Sequence, residues 1–286
     1  MLSLFRWLSR RPLWLLHALG WGVGWLTWAL SPTYRRRLAA LAAQAGIAPG
    51  ARRAAVGEAG RMALELPFLW LRPAEQPLGP LLRVEGAELV DAAHAGGRGL
   101  VLLTPHLGCF EMCAQAYAEH FAARYGPITV LYRPARKAWL REVTEASRAR
   151  PGVATAPASL AGVRQMIRAL RRGEAVGLLP DQVPPEGQGV WAPFFGREAY
   201  TMTLAARLVQ QTGATLLLVW GERLRHGAGY VVRFQPMNEA LPADPAAQAE
   251  SAAVVNRAME ALIRQCPQQY LWGYHRYKAP RAQPAE

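Results

Sequence analysis

A histidine and a glutamate five positions apart, His106 and Glu111, have the types and spacing that best suit acid–base chemistry in this chain. On one continuous helix the two side chains would lie about 140° apart and would not meet. If His106 lies in the turn after a strand and Glu111 in the first turn of the next helix, the imidazole can fold back against the carboxylate. Such a carboxylate fixes the tautomer and stabilises the imidazolium, which gives a general base without a side-chain nucleophile. A capping pair or a chance spacing is the alternative.

Two cysteines in the same segment, Cys109 and Cys113, raise the possibility of a metal site. A closed structural zinc site needs four ligands in paired spacings, and no second pair follows downstream. We therefore expect no metal, and we interpret both cysteines as small packing residues on a buried helix face. Together with Cys266 they do not form the disulfide framework of a small secreted domain, which favours a reducing compartment.

Short apolar runs alternate with amphipathic stretches through the body of the chain. This pattern predicts an α/β domain with a largely parallel central sheet flanked by helices. The predicted strands are residues 100–103, 128–132, 175–179, 216–220 and 230–234. The predicted helices between them are residues 110–123, 137–149, 159–172 and 201–212.

Polar residues follow three of these predicted strands. The first strand leads to His106 and Glu111, the second to Arg133, and the third to Asp181 and Gln182. Because the carboxyl ends of parallel strands lie at one edge of a sheet, we expect these side chains to converge on an active site. Arg133, which precedes a proline, is interpreted as a phosphate or carboxylate ligand, with a solvated surface cation as the alternative. Asp181 could instead cap the segment that follows it.

Residues 183–196, with the sequence VPPEGQGVWAPFFG, are predicted to form a long loop. Long loops in compact domains commonly serve as lids or binding elements. A packed structural loop is the alternative.

An uncharged stretch of 18 residues, 13–30, lies between arginines on both sides. As a helix with a rise of about 1.5 Å per residue it would be about 27 Å long, close to the hydrocarbon thickness of a bilayer. It could span a membrane or lie in the interface. Trp7, Trp14, Trp21 and Trp28, spaced by seven, are expected on one helix face, and tryptophan favours the headgroup boundary. We expect a membrane anchor, with a cleaved signal peptide or a buried core helix as alternatives.

The predicted domain organisation follows from these segments. Residues 1–31 form the anchor helix and residues 32–82 a helical cap or stalk, with a break at 49–50. Residues 83–278 form the catalytic domain, and residues 279–286 a disordered tail. The net charge of +13 indicates an anionic partner. Nucleic acid is disfavoured because no nucleic-acid-binding motif accompanies the charge, whereas the apolar anchor accounts for a membrane surface.

Five short segments occur along the chain in this order: HLGCFE at 106–111, YRP at 132–134, LLPDQ at 178–182, PFFG at 193–196 followed by Thr201, and QYLW at 269–272. In their order and spacing, these motifs resemble the bacterial lipid A late acyltransferases, the lauroyl and myristoyl transferases of the superfamily with a His-x4-acid motif. The resemblance covers the chain from the anchor helix to Lys278, with Cys109 and Phe110 where family members often have Asn and Trp.

The resemblance implies that His106 is the general base and Glu111 its partner. It also implies that Arg133 and Asp181 line the site for a phosphorylated saccharide lipid. Five further motif residues are expected to bind substrate: Gly108, Gln182, Phe194, Phe195 and Gly196.

The implied reaction moves a fatty acyl chain from an acyl carrier protein thioester to a hydroxyl of a lipid A precursor, and it implies no cofactor or metal. Backbone N–H groups near Gly108, or a basic side chain, would stabilise the oxyanion. The implied location is the cytoplasmic side of the bacterial inner membrane. Two alternatives stay open: the same chemistry on a lysophospholipid, glycolipid or amino-acid lipid, and a non-catalytic basic protein that binds membranes.

Overall fold

The computed structural model describes residues 2–73, 76–132 and 150–282, and its centre is a seven-stranded sheet. The strands of this sheet are β1 (Leu82–Glu85), β2 (Leu100–Leu103), β3 (Ile128–Tyr132), β4 (Val153–Pro157), β5 (Ala175–Leu178), β8 (Thr215–Arg223) and β9 (Tyr230–Pro236). Strands β6 (Gly189–Phe194) and β7 (Arg197–Met202) form a separate antiparallel hairpin.

The strand order in the large sheet is β1-β9-β8-β2-β5-β3-β4. All neighbouring pairs are parallel except β8 and β9, which run antiparallel. The predicted α/β class with a mostly parallel sheet is therefore confirmed. Strands β2, β5 and β3 are adjacent, so the three polar segments that follow them start from one edge of the sheet.

Helices cover both faces of the sheet within the described ranges. They are α1 (Leu2–Ser9), α2 (Leu13–Leu30), α3 (Pro32–Gln44), α4 (Pro49–Leu71), α5 (Ala87–Ala95), α6 (Glu111–His120), α7 (Ala122–Tyr125), α8 (Leu160–Arg171), α9 (Leu204–Thr212) and α10 (Gln248–Gln265). Local signals explain several of these boundaries. The Ser159 hydroxyl accepts from the Gly162 N–H to cap α8, and the left-handed Gly213 ends α9.

The core is divided by the sheet into two layers. Val101 and Leu103 of β2 pack with α3, α4, α8, α9 and α10, whereas Leu100 and Leu102 pack on the other face with α5 and α6. Alternate residues of one strand thus serve opposite layers, and all four are buried. This double burial explains why the strand is a continuous apolar run in the sequence.

Five strands were predicted at their observed positions, and the prediction for residues 183–196 needs correction. The second half of that segment is strand β6, joined to β7 by a two-residue turn at Phe195 and Gly196. Both turn residues have positive φ, 47° and 73°, as the twist of a tight hairpin demands. The strand was not predicted because it contains Pro193, and proline argues against a central strand. Proline is tolerated here because β6 pairs only with β7 and has no second neighbouring strand in the described residues. The predicted helix at 137–149 lies outside the described residues.

The amino-terminal segment consists of two helices rather than one. Helix α1 ends at Ser9 and α2 starts after Pro12, so Trp7 does not share a helix face with Trp14 and Trp21. Those three indoles are about half exposed, whereas Trp28 is partly buried against the core. The expectation of a single face of four tryptophans is therefore wrong. By length and composition, α2 is the one helix within the described ranges that could cross a membrane.

The expected division at residues 31, 82 and 278 stays a prediction. Helices α3 and α4 contribute Leu38 and Val56 to the same core layer as the strands. Residues 279–282 of the expected disordered tail are described, and the Arg281 carbonyl accepts a hydrogen bond of 3.0 Å from the Glu186 N–H.

Candidate active site

The turn between β2 and α6 carries the predicted base and is fixed from two sides. The Gly108 N–H donates to the Gln269 carbonyl at 3.0 Å, and the Cys109 N–H donates to the Gly221 carbonyl at 2.7 Å. Gly108 has φ of 58°, and a Cβ there would overlap the carbonyl of Gly221. Glycine is therefore required where the turn crosses β8, and residues 269–272 hold the turn in place.

These hydrogen bonds correct one expectation about Gly108. The backbone N–H groups of Gly108 and Cys109 already donate to protein carbonyls, so neither is available to stabilise an oxyanion. Gly108 also is not among the residues that line the adjacent cavity. Its role in the described structure is to shape the turn.

The imidazole of His106 is bound by the carboxylate of Asp181. Nδ1 of His106 lies 2.7 Å from Oδ1 of Asp181, and the His106 backbone N–H donates to Oδ2 at 2.9 Å. Asp181 follows β5, the neighbour of β2 in the sheet, and is only 2% exposed. The predicted convergence of the strand ends thus brings His106 and Asp181 together.

The second imidazole nitrogen faces Gln182. Nε2 of His106 lies 3.0 Å from Nε2 of Gln182, and an amide nitrogen can only donate. Asp181 can only accept when ionised, so in the neutral imidazole Nδ1 carries the proton and Nε2 keeps its lone pair. This is the tautomer that a general base needs.

The environment of Asp181 keeps its carboxyl group ionised. Burial acts to raise the pKa of Asp181, but the charge and hydrogen bonds of His106 and the charge of Arg276 outweigh it, so that the pKa lies below its ordinary value. Arg276 is itself buried and donates to the Tyr200 carbonyl and to the Thr201 hydroxyl, both at 2.7 Å. A buried carboxylate in these contacts is not placed to bind a substrate phosphate directly.

Glu111 begins α6 and lines the same cavity as His106. The expected pairing of His106 with Glu111 stays a prediction. The hydrogen bonds described above occupy both imidazole nitrogens with Asp181 and Gln182. Asp181 therefore binds the imidazole directly, and Glu111 is a second carboxylate in the lining of the same cavity.

A cavity of about 540 Å³ opens beside His106. That volume is in the range of small-molecule sites, and its lining combines apolar walls with a few polar groups. Apolar lining residues include Leu131, Val153, Leu160, Val163 and Leu204. Polar and charged lining residues include Glu111, Gln115, Gln182, Arg150 and Arg207. The cavity thus suits an acyl chain next to a hydroxyl or thioester.

Several cavity residues carried no signal in the sequence. Trp70 reaches the cavity from the end of α4, and Arg207 from α9. Arg150 also lines the cavity, and its guanidinium donates to the Leu69 and Arg72 carbonyls at 2.8 Å each, tying the end of α4 to the sheet. These contacts join distant parts of the chain, so no local motif marks them.

Three predicted substrate residues lie away from this cavity. Phe194, Phe195 and Gly196 form the end of the β6–β7 hairpin and are not among its lining residues. Both phenylalanines are buried in the core, and the Phe195 N–H donates to Glu260 at 2.6 Å. Arg133 lies outside the described residues.

The cysteines have the surroundings of packing residues. Cys109 and Cys113 are buried in the core layer that contains α5 and α6. Burial raises the pKa of Cys113 to about 12, which keeps its thiol protonated and a poor metal ligand. Within the part of the chain that the structure describes, no cluster of three His, Cys, Asp or Glu side chains could hold a metal ion.

Comparison with known proteins identifies the family of the chain. Residues 52–279 match the family model of the bacterial lipid A biosynthesis acyltransferases. The chain is 27% identical over 220 residues to the lipid A biosynthesis palmitoleoyltransferase of Escherichia coli K12, covering 77% of this chain and 68% of that one. It is 27% identical over 216 residues to the lipid A biosynthesis lauroyltransferase of the same organism, covering 75% and 67%. The chain therefore belongs to the bacterial lipid A biosynthesis acyltransferase family and is an acyltransferase.

Proposed function

We propose that this enzyme transfers a fatty acyl chain from the thioester of acyl carrier protein to a hydroxyl of a lipid A precursor. The observation that carries the proposal is His106, whose imidazole is held between Asp181 and Gln182 in the wall of a largely apolar cavity. The names of the relatives support an acceptor in lipid A biosynthesis and a fatty acyl group as cargo.

In this proposal His106 is the general base and Asp181 positions it. Asp181 holds the proton on Nδ1 and stabilises the imidazolium once Nε2 has taken a second proton. The Gln182 amide marks the position of the acceptor hydroxyl, because a hydroxyl would donate to the same Nε2 lone pair. Glu111 stays the predicted second carboxylate, in contact with substrate or with the imidazolium.

The bonds and protons balance without a covalent enzyme intermediate. The acceptor oxygen attacks the thioester carbonyl as its proton passes to Nε2 of His106. The tetrahedral intermediate collapses, the carbon–sulfur bond breaks, and the leaving sulfur takes the proton from the imidazolium. The products are an ester and the free carrier thiol, and the enzyme returns to its starting protonation state.

The anionic partners fit the strongly basic chain. The net charge of +13 favours both an acidic carrier protein and a phosphorylated lipid. Arg133 is proposed as a ligand for an anionic group of the acceptor. The apolar helix α2 supports a membrane location, which we place at the cytoplasmic face of the bacterial inner membrane.

The test is a transfer assay with purified full-length protein, acyl carrier protein loaded with a fatty acid, and detergent-dispersed lipid A precursor. Asp181→Asn should lower kcat about 10² to 10⁴-fold with little change in the acceptor KM, because the wrong tautomer then presents Nε2 with its proton. Glu111→Gln should be compared under the same conditions. Turnover of Asp181→Asn close to that of the unsubstituted enzyme would refute the role of Asp181.

The same assay separates the alternative acceptors. Lysophospholipid, glycolipid and amino-acid lipid acceptors are offered in place of the lipid A precursor, each at matched concentration. The proposal expects the highest kcat/KM with the lipid A precursor. A higher value with another acceptor would overturn the assignment of substrate while leaving the acyl transfer chemistry intact.

A further inference from the structure

Both ends of the apolar helix α2 contact the catalytic domain. At its beginning, Leu13 belongs to the core layer that contains α5 and α6, and the backbone of Trp14 packs against Gly227 in the β8–β9 connection. Just beyond its end, Tyr34 at the start of α3 packs against Gly273. The two ends of a helix that crossed a bilayer would lie on opposite sides of it. Here both lie against one folded unit.

Between its ends, α2 packs closely along α4. A Cβ on Gly24 would overlap the backbone of Val56, and a Cβ on Gly60 would overlap Gly20 and Gly24. His17 lies 3.2 Å from Glu65 of α4, and both side chains are buried. The glycines of the two helices thus allow the backbones to touch at Gly20 and Gly24.

Helix α4 cannot accompany α2 into hydrocarbon. Its sequence includes Arg52, Arg53, Glu58, Arg61 and Glu65, and its other face forms part of the protein core. Charged side chains at the centre of a bilayer are costly, and lipid cannot replace the partners that the sheet provides. If α2 spanned the membrane, these charges would be carried to the same depth.

The outward side of α2 is uncharged and apolar. Leu19, Val23, Leu26 and Leu30 are each at least 42% exposed, and their spacing of four, three and four residues places them in one stripe. We call these four residues the α2 stripe. With the exception of Leu160 and Trp191, the large hydrophobic side chains that are exposed in the described ranges all lie on α1 and α2.

Basic residues flank this apolar surface at both ends. Arg6 and Arg10 precede α2 and Arg36 follows it, and all three are exposed. Arg11 stacks over Trp7, and Arg35 over Trp28, in cation–π contacts of 4.7 and 5.1 Å. An apolar stripe between cationic ends fits a leaflet with anionic headgroups.

We propose that α1 and α2 lie in the plane of one anionic leaflet, with the α2 stripe in the acyl region, and that the enzyme does not cross the membrane. The proposal refines the membrane location under the proposed function and rests on it. It commits to a bilayer leaflet as the occupant of this surface. A monotopic pose keeps the cavity and the lipid substrate on the same side of the membrane.

The first test compares the positions of the two termini. Full-length protein with a protease-cleavable epitope at each end is expressed in bacteria, and sealed inverted inner-membrane vesicles are treated with the protease. We expect both epitopes to be cleaved without detergent. Cleavage of the C-terminal epitope alone, with the N-terminal one cut only after permeabilisation, would show a spanning helix and overturn the proposal. If the intact protein does not sediment with membranes, the proposed membrane location itself fails.

The second test uses the α2 stripe. Leu26→Glu combined with Leu30→Glu should weaken binding to vesicles of phosphatidylglycerol and phosphatidylethanolamine by at least about tenfold, because the stripe would carry charge into the acyl region. Turnover of detergent-dispersed substrate should be unchanged, since neither side chain is buried. The matched control, Ala240→Glu combined with Ala249→Glu, changes two exposed alanines elsewhere and should bind normally. Equal binding by both double variants would contradict the proposal.

Discussion

A buried ion pair behind the active-site turn provides the most quantitative prediction. Arg223 of β8 donates to both carboxylate oxygens of Glu65 at 2.8 and 2.5 Å, to Glu58 at 2.8 Å and to the Gly108 carbonyl at 3.0 Å. The side chains of Arg223 and Glu65 are each 1% exposed. The pair therefore links α4 and β8 to the turn that carries His106.

The perturbation is Glu65→Ala. Burial acts to raise the pKa of Glu65, but the charge and hydrogen bonds of Arg223, together with His17, outweigh it and lower the pKa, so the carboxylate is ionised at neutral pH. Its removal leaves Arg223 with Glu58 alone to balance a buried charge. Breaking a buried pair in this way costs about 3 to 5 kcal/mol. Because Glu58 stays, we expect the lower end of that range.

The assay is thermal unfolding followed by circular dichroism in one detergent at one scan rate. For a chain of this size class, each kcal/mol lost from the free energy of unfolding lowers Tm by about 2 to 4 °C. A loss of about 3 kcal/mol in the free energy of unfolding therefore lowers Tm by roughly 6 to 12 °C. The control is Glu239→Ala, which breaks an ion pair at the surface. The side chain of Glu239 is 50% exposed and that of its partner Arg257 is 52% exposed. Exposed pairs contribute about 0.2 to 1 kcal/mol. Equal Tm shifts in the two variants would refute the reasoning.

Three further predictions concern substrate binding, pH and the amino-terminal helices. Arg207 is an exposed arginine of the cavity wall, and Arg207→Ala should raise the acceptor KM more than it lowers kcat. The control variant, Arg168→Ala at another exposed arginine, should leave the acceptor KM unchanged. Equal acceptor KM values for the two variants would exclude Arg207 from substrate binding. Burial lowers the pKa of His94, so the stability contributed by its neutral form is present above about pH 6.5 and is lost as the pH falls. His94→Gln should therefore flatten the dependence of Tm on pH between about 7 and 5. An unchanged slope of Tm against pH would contradict this. Deleting residues 1–31 removes the buried Leu16, so we expect a large loss of Tm and not an active soluble enzyme, whereas native-like Tm would show that the helices are separable.

The sequence was sufficient to predict the sheet and the meeting of strand ends. Buried parallel strands are continuous apolar runs, so β2, β3 and β5 could be located. Because the carboxyl ends of parallel strands lie at one edge of the sheet, His106 was expected near Asp181, as the structure shows. The choice of carboxylate partner could not be predicted. A spacing of five residues does not determine which way an imidazole turns, and the contact with Asp181 joins residues 75 positions apart.

The position of α2 also depends on contacts that a sequence pattern cannot contain. An uncharged stretch of 18 residues is compatible with a spanning helix, an interfacial helix and a core helix alike. The burial of Leu16 and His17 and the backbone contacts of Gly20 and Gly24 with α4 show which face is turned toward the protein. Phe194 and Phe195 were expected to bind substrate, but the motif that contains them forms a packed hairpin and does not line the cavity.

The most direct test of the account is the mass of the lipid product made by purified enzyme. With fatty acyl carrier protein and a lipid A precursor, the unsubstituted enzyme should add one acyl group in ester linkage. His106→Ala should reduce the rate of that addition by about 10² to 10⁴-fold at an unchanged Tm, since the hydroxyl then has no positioned base. A precursor that gains no acyl group from the unsubstituted enzyme, or gains it equally fast from His106→Ala, would contradict the account.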